Sequence, residues 1–172
     1  MGGIPSQYIH ISNQLIKSAG AGEIIVVEYD ETKEKLAYEL GADLFICSKD
    51  EEKIDAYAAK YNVDKVIECV GNTSAQLTAL KVAGRGATVV MFGVADSAKT
   101  TPISLYDAFI KELTIKTSYI NPYTTERAVR ILASGMLDTS KIIHRELTME
   151  EAAEEFMEPK LSRFGKLLVK IN

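Results

Sequence analysis

Residues Glu23–Asp43 read EIIVVEYDETKEKLAYELGAD, and this stretch decides the fold class. EIIVVE is a short apolar, β-branched run of the kind a parallel strand covered on both faces shows. The following Glu31–Leu40 reads as a helix with Leu36, Ala37 and Leu40 on one face, and Gly41 stands where a helix C-cap favours glycine. Outward from there the alternation repeats. Leu44–Cys47 is a strand, Asp50–Tyr61 a helix with acids in its first turn to suit the dipole, and Lys65–Val70 (KVIECV) a strand. Asn72 or Thr73 caps a helix running to about Ala83, and Ala87–Phe92 (ATVVMF) is the next strand. Beyond a polar loop at Val94–Pro102 come a short helix at Leu105–Lys111, a strand at Leu113–Ile120 and a helix at Tyr123–Ser134. A strand at Lys141–Leu147, a helix at Met149–Met157 and a strand at Lys166–Ile171 complete the pattern. Upstream, Ile4, Tyr8, Ile11 and Leu15 form a stripe at helical spacing, which predicts a helix over Pro5–Lys17.

Strands alternating with helices imply an α/β, doubly wound, mostly parallel sheet. Ligands of such sheets lie outside the carboxyl ends of the strands. The positions to inspect are therefore Glu28, the Val70–Asn72 stretch, Phe92–Val94 and the end of the strand at Ser118–Asn121.

The chain has 172 residues, 47% hydrophobic and 26% charged, ordinary globular proportions for about one domain. Twenty basic against twenty-four acidic residues give a net charge of −4, which argues against nucleic acid or an anionic membrane as chief partner. No apolar run approaches a membrane span and no secretory leader is visible, so a reducing cytoplasm is the expected compartment. Two cysteines (Cys47, Cys69) and two histidines (His10, His144) lack any zinc-ligand spacing, so no metal site is expected. The cysteines read as small buried hydrophobes and the histidines as structural or surface residues. No nucleophile elbow is present, and no catalytic residue is assigned.

Glu28 ends a strand ahead of a helix. An acid there can accept hydrogen bonds from both hydroxyls of an adenosine ribose and would repel a 2′-phosphate, which favours NAD over NADP; the alternative is a solvated strand-end acid. Gly20-Ala21-Gly22 and Gly84-Arg85-Gly86 stand between helix and strand, the reverse of what a phosphate loop requires, and read as helix-end turns. Gly71 follows a strand and precedes a helix. Gly2 and Gly3 precede the first helix, where a dinucleotide loop would lie.

From Lys17 onward the chain resembles the coenzyme-binding (Rossmann) domain of the medium-chain dehydrogenase/reductase family, in its zinc-type alcohol, polyol and sorbitol dehydrogenase branch. The likeness is carried by Ser18–Gly22, Glu23–Asp43, KVIECVGN (Lys65–Asn72), GRGATVVMFGV (Gly84–Val94), KELTIKTSYINPYT (Lys111–Thr124), AVRILASGMLD (Ala128–Asp138) and GKLLVKI (Gly165–Ile171). It implies a Rossmann-type dinucleotide-binding domain over residues 1–144, N-terminally truncated. Residues 145–172 would be a C-terminal segment that packs on a catalytic domain in the family. It further implies that Glu28 binds the ribose with Lys33 beside it, and that Cys69, Val70 and Gly71 flank the adenosine side. Phe92, Gly93 and Val94 would meet the nicotinamide carboxamide, and Ser118 and Ile120 would contact it from the next strand.

Two departures qualify the resemblance. The zinc-bearing catalytic domain of the family and the first Rossmann strand have no counterpart in this sequence, so zinc is expected only in that absent domain. Ile4, Ser6 and Ile9 fall where the family places its three loop glycines, so NAD binding is expected to be weak or lost. The expected function is the NAD-binding domain of a zinc-type alcohol or polyol dehydrogenase, not active alone. A non-catalytic homo-oligomeric or regulatory nucleotide module, and a methyltransferase using S-adenosylmethionine, are the other readings. Self-association is expected through the Leu113–Ile120 edge strand.

Overall fold

The computed structural model describes residues 7–119, 123–140, 143–161 and 166–171. Met1–Pro5, Ser6, Ile120, Asn121 and Pro122, all used above, lie outside these, as do Lys141 and Gly165. The described chain is α/β throughout. In order, it runs α1 (Gln7–Ser18), β1 (Ile25–Glu28), a 3-10 turn (Glu31–Lys33), α2 (Glu34–Glu39), β2 (Leu44–Cys47), α3 (Glu51–Lys60) and β3 (Val63–Glu68). There follow α4 (Thr73–Val82), β4 (Ala83–Met91), α5 (Leu105–Ile110), β5 (Thr114–Thr117), α6 (Thr125–Ala133), β6 (Ile143–Leu147), α7 (Met149–Met157) and β7 (Lys166–Val169). Every strand pairing among them is parallel, as the strand–helix alternation requires.

The chain divides into two compact units. One takes in the described residues of Met1–Cys47 and Tyr123–Asn172 and holds two two-stranded sheets, β1–β2 and β6–β7. Val26, Ala37, Ala42 and Phe45 pack α2 onto β1 and β2. Tyr38 adds a polar tie, its hydroxyl accepting from the Phe45 amide at 3.2 Å. Gln14 of α1 exchanges two hydrogen bonds with the Asp138 backbone, at 2.7 and 3.1 Å. The apolar stripe expected on α1 is only partly inward. Ile11 is 39% exposed, whereas Asn13 is buried with Nδ2 lacking a partner among the described residues.

The other unit, described within Ser48–Pro122, holds the sheet β3–β4–β5. Ala79, Ala83, Ala87 and Val89 form its core, with Val66, Leu80, Met91 and Leu113 packed against them. Small residues at 79, 83 and 87 let α4 approach the sheet closely. The α4 C-terminus leaves carbonyls unsatisfied by the helix. The Lys111 ammonium donates to three of them, Leu80 O, Lys81 O and Ala83 O, at 3.4, 3.1 and 2.9 Å.

Several boundaries differ from expectation. β1 starts at Ile25 and not Glu23, and Glu31–Lys33 is a 3-10 turn ahead of α2. β5 is Thr114–Thr117 within the expected Leu113–Ile120, of which Ile120 lies outside the described residues, and α6 starts at Thr125 and not Tyr123. Gly84-Arg85-Gly86 is not a helix-end turn. β4 starts directly after α4, and its pairing to β3 jumps from Val63–Ala83 to Lys65–Thr88, so these glycines lie in a bulge of the strand. The Asn62 side chain secures the bulge by accepting from the Arg85 amide at 2.7 Å. β3 ends at Glu68 and not Val70, because the Glu68 carboxylate withdraws the next amides from the ladder.

Candidate functional site

In the first unit, Glu28 terminates β1 and is 7% exposed. Its Oε1 accepts from the Tyr29 and Asp30 amides at 2.8 and 3.1 Å, and Oε2 accepts from Lys33 Nζ at 3.2 Å. Asp30 then caps the 3-10 turn, its Oδ1 accepting from Thr32 N at 3.0 Å and Thr32 Oγ1 at 2.6 Å. The turn is what brings Lys33 back onto Glu28. A carboxylate offers about four lone-pair sites, and these bonds take three. Glu28 is therefore not a solvated strand-end acid. It keeps capacity for one further donor while Lys33 stays in place, one fewer than the two ribose hydroxyls expected from sequence.

In the second unit, Cys69, Val70 and Gly71 follow the end of β3, and Phe92, Gly93 and Val94 follow the end of β4. Ser118 follows β5, its amide donating to Met91 O at 3.3 Å. These residues thus gather at the carboxyl ends of three parallel strands, where open α/β sheets bind ligands. Val70, Phe92 and Val94 are exposed, at 36%, 40% and 85%. Between them the backbones cross. A Cβ on Gly71, whose φ is +80°, would come within 2.6 Å of the Val94 carbonyl carbon, and one on Gly93 within 2.7 Å of Gly71 Cα. Only glycine fits at either position. The Asn72 side chain then caps α4 by accepting from Ala75 N at 2.8 Å, as expected. Ile120 lies outside the described residues.

At Cys69 the thiolate is disfavoured. Burial, and then the adjacent Glu68 charge, push its thiol up to about 11. Cys47 is half-buried and donates to Tyr29 O at 3.9 Å; His144 is exposed on β6. Among the described residues, no three His, Cys, Asp or Glu side chains converge on a point that could hold a metal ion, and no helix is long and apolar enough to cross a membrane. A cavity of about 630 Å³ near Arg85, Leu105, Phe109 and Leu113 lies at the opposite, amino ends of β4 and β5 and gathers none of the candidate residues.

The residue that sequence reasoning missed is Glu68. It is 4% exposed, and its carboxylate holds the Val70 and Gly71 amides as Glu28 holds those of Tyr29 and Asp30. The available signal was an acid closing an apolar strand, as at Glu28, here with Gly71 three residues on.

A family model described as zinc-binding dehydrogenase matches residues 10–134. Sorbitol dehydrogenase of Rattus norvegicus is 27% identical over 90% of this chain and 44% of its own length. L-threonine 3-dehydrogenase of Bacillus velezensis is 27% identical over 89% of this chain and 45% of its own. The chain therefore spans a little under half the length of these curated relatives. Among solved structures, a Sinorhizobium meliloti protein described as a zinc-binding dehydrogenase, bound to NADP, superposes with a TM-score of 0.84. It is 30% identical, over 93% of this chain and 48% of that one.

Proposed function

The chain belongs to the zinc-binding dehydrogenase family, and from that premise we propose that it is the nicotinamide-nucleotide-binding portion of an alcohol or polyol dehydrogenase, with NAD preferred to NADP. The carrying observation is Glu28: a buried carboxylate at the end of β1, fixed by two amides and Lys33, with acceptor capacity left for a ribose hydroxyl. Its charge disfavours a 2′-phosphate at the same place. Gly71 and Gly93 support the reading, since their bare backbones let the loops after β3 and β4 pack directly on one another at the carboxyl ends of the strands. Bound nicotinamide would supply the hydride chemistry. This chain's residues would hold and orient the nucleotide, with Glu28 and Lys33 on the ribose, Cys69–Gly71 on the adenosine side, and Phe92–Val94 with Ser118 and Ile120 on the carboxamide.

Zinc does not fit the described side chains, because no ligand set converges. Metal chemistry and substrate recognition fall to a catalytic domain, and activity on an alcohol requires it. Ile4, Ser6 and Ile9 occupy the places of the family's loop glycines, so close approach of backbone to pyrophosphate is lost and affinity is low. Self-association through β5 belongs to the same proposal, as does a reducing, cytoplasmic setting.

Titration of the chain with NADH and NADPH, followed by nucleotide fluorescence, tests the reading. Saturable NADH binding weaker than micromolar, with NADPH weaker by about tenfold, is expected. No saturation by NADH at millimolar concentration overturns nucleotide binding; equal affinities overturn the preference.

A further inference from the structure

Glu68 stands at the meeting of the loops after β3 and β4 and has no role in the reading above. Its Oε1 accepts from Val70 N at 2.5 Å and Gly71 N at 2.8 Å. Its main-chain carbonyl accepts from Phe92 N and Gly93 N, both at 2.8 Å. Four amides, two from each loop, therefore converge on one residue, two through the side chain and two through the backbone. The loops are also in direct backbone contact at Gly71 and Gly93, where neither can take a side chain. In such a crossing, a shift of the Val70–Gly71 turn must move Phe92–Val94 with it.

The side chain is itself held in a costly state. It is 4% exposed, and Oε2 is buried without a partner among the described residues. An unpartnered buried carboxylate oxygen opposes folding. What this carboxylate supplies in return is a charge-assisted, two-amide clamp, shorter and stronger than a neutral acceptor gives.

We propose that Glu68 is a positioning residue of the nucleotide site: its carboxylate sets the Val70–Gly71 turn against Phe92–Gly93, so that both loops meet a nicotinamide dinucleotide in one fixed geometry. This rests on the nucleotide-binding reading. Preorganisation of this kind acts through residues that touch the ligand, while Glu68 itself stays covered.

The test uses the full chain with Glu68→Ala and Glu68→Gln, the latter keeping an oxygen able to accept both amides. Two readouts are taken: amide hydrogen exchange by NMR and NADH titration. In Glu68→Ala, exchange at Val70 and Gly71 is expected to accelerate at least tenfold, with the β4–β5 ladder amides unchanged. NADH affinity is expected to fall about tenfold. Glu68→Gln is expected to restore both to within about threefold, a rescue by hydrogen-bond geometry. Uniform acceleration across the unit, or wild-type NADH affinity in Glu68→Ala, overturns the positioning role alone. A wild-type chain that binds no NADH overturns the nucleotide reading and this inference with it. Should Glu68→Ala fail to fold, Glu68→Asp, one methylene shorter, replaces it with the same expected losses.

Discussion

Lys33 Nζ lies 3.2 Å from Glu28 Oε2, and only 15% and 7% of the two side chains reach solvent. Removing one partner from such a pair leaves the other charge uncompensated, which costs about 3–5 kcal/mol for fully buried pairs. Two backbone amides still serve Glu28 here, so the expected cost of Lys33→Met is smaller, about 2 kcal/mol. Thermal unfolding should show a melting point lower by roughly 4–8 °C. Adding Glu28→Gln should recover most of the loss; a double variant as unstable as Lys33→Met would show that the pair is not coupled.

Gly71 and Gly86 both have positive φ, at +80° and +71°, but different surroundings. A Cβ at Gly86 meets nothing within 4 Å, whereas one at Gly71 runs into the Val94 backbone. Gly86→Ala should cost about 1 kcal/mol, the strain of a left-handed residue. Gly71→Ala should cost about 3 kcal/mol or more, since backbone must move as well. Urea unfolding midpoints measure both, and equal losses would contradict the crossing of the two loops.

β5 pairs with β4 on one side, and no described strand covers its other side. The Ser118 amide points to β4, so by alternation those of Ile115 and Thr117 point away from it. Thr117→Pro therefore removes an outward donor and spares the β4 ladder. Light scattering on a size column should find the wild type self-associated and the variant less so. A monomeric wild type contradicts pairing at this edge, and a folded variant with unchanged association moves the interface elsewhere.

The Cys69 thiol ionises near 11 in the folded chain against 9.0 ordinarily, first from burial and then from Glu68. The folded state therefore keeps its proton where the unfolded state has lost it. Below pH 9 the thiol is protonated in both states and stability does not depend on it. As pH rises from 9 towards 11 the unfolded state ionises first and stability falls. Cys69→Ala should flatten that part of the stability curve, and unfolding midpoints between pH 8 and 11 would show it. An unchanged slope would mean that the thiol is not the group responsible.

Much of the fold was legible in local sequence. Leu44–Cys47 and Met149–Met157 form the expected strand and helix to the residue, and of the two expected cap candidates Asn72 caps the helix that follows it. These features depend on side-chain periodicity and on bonds reaching three residues or fewer, which the sequence carries directly. Glu28 was legible for the same reason, since strand, acid and turn are contiguous. What only the tertiary structure decided are relations between segments far apart in the chain. Gly71 is required because Val94 lies against it, Gly84 lies in a bulge because β4 must re-register on β3, and Lys111 serves carbonyls about thirty residues earlier. Glu68 belongs to that second group. Its two amides on Val70 and Gly71 are local, but its hold on Phe92 and Gly93 exists only once β4 lies beside β3, because a backbone carbonyl finds its partner through strand pairing and not through the identity of its own side chain.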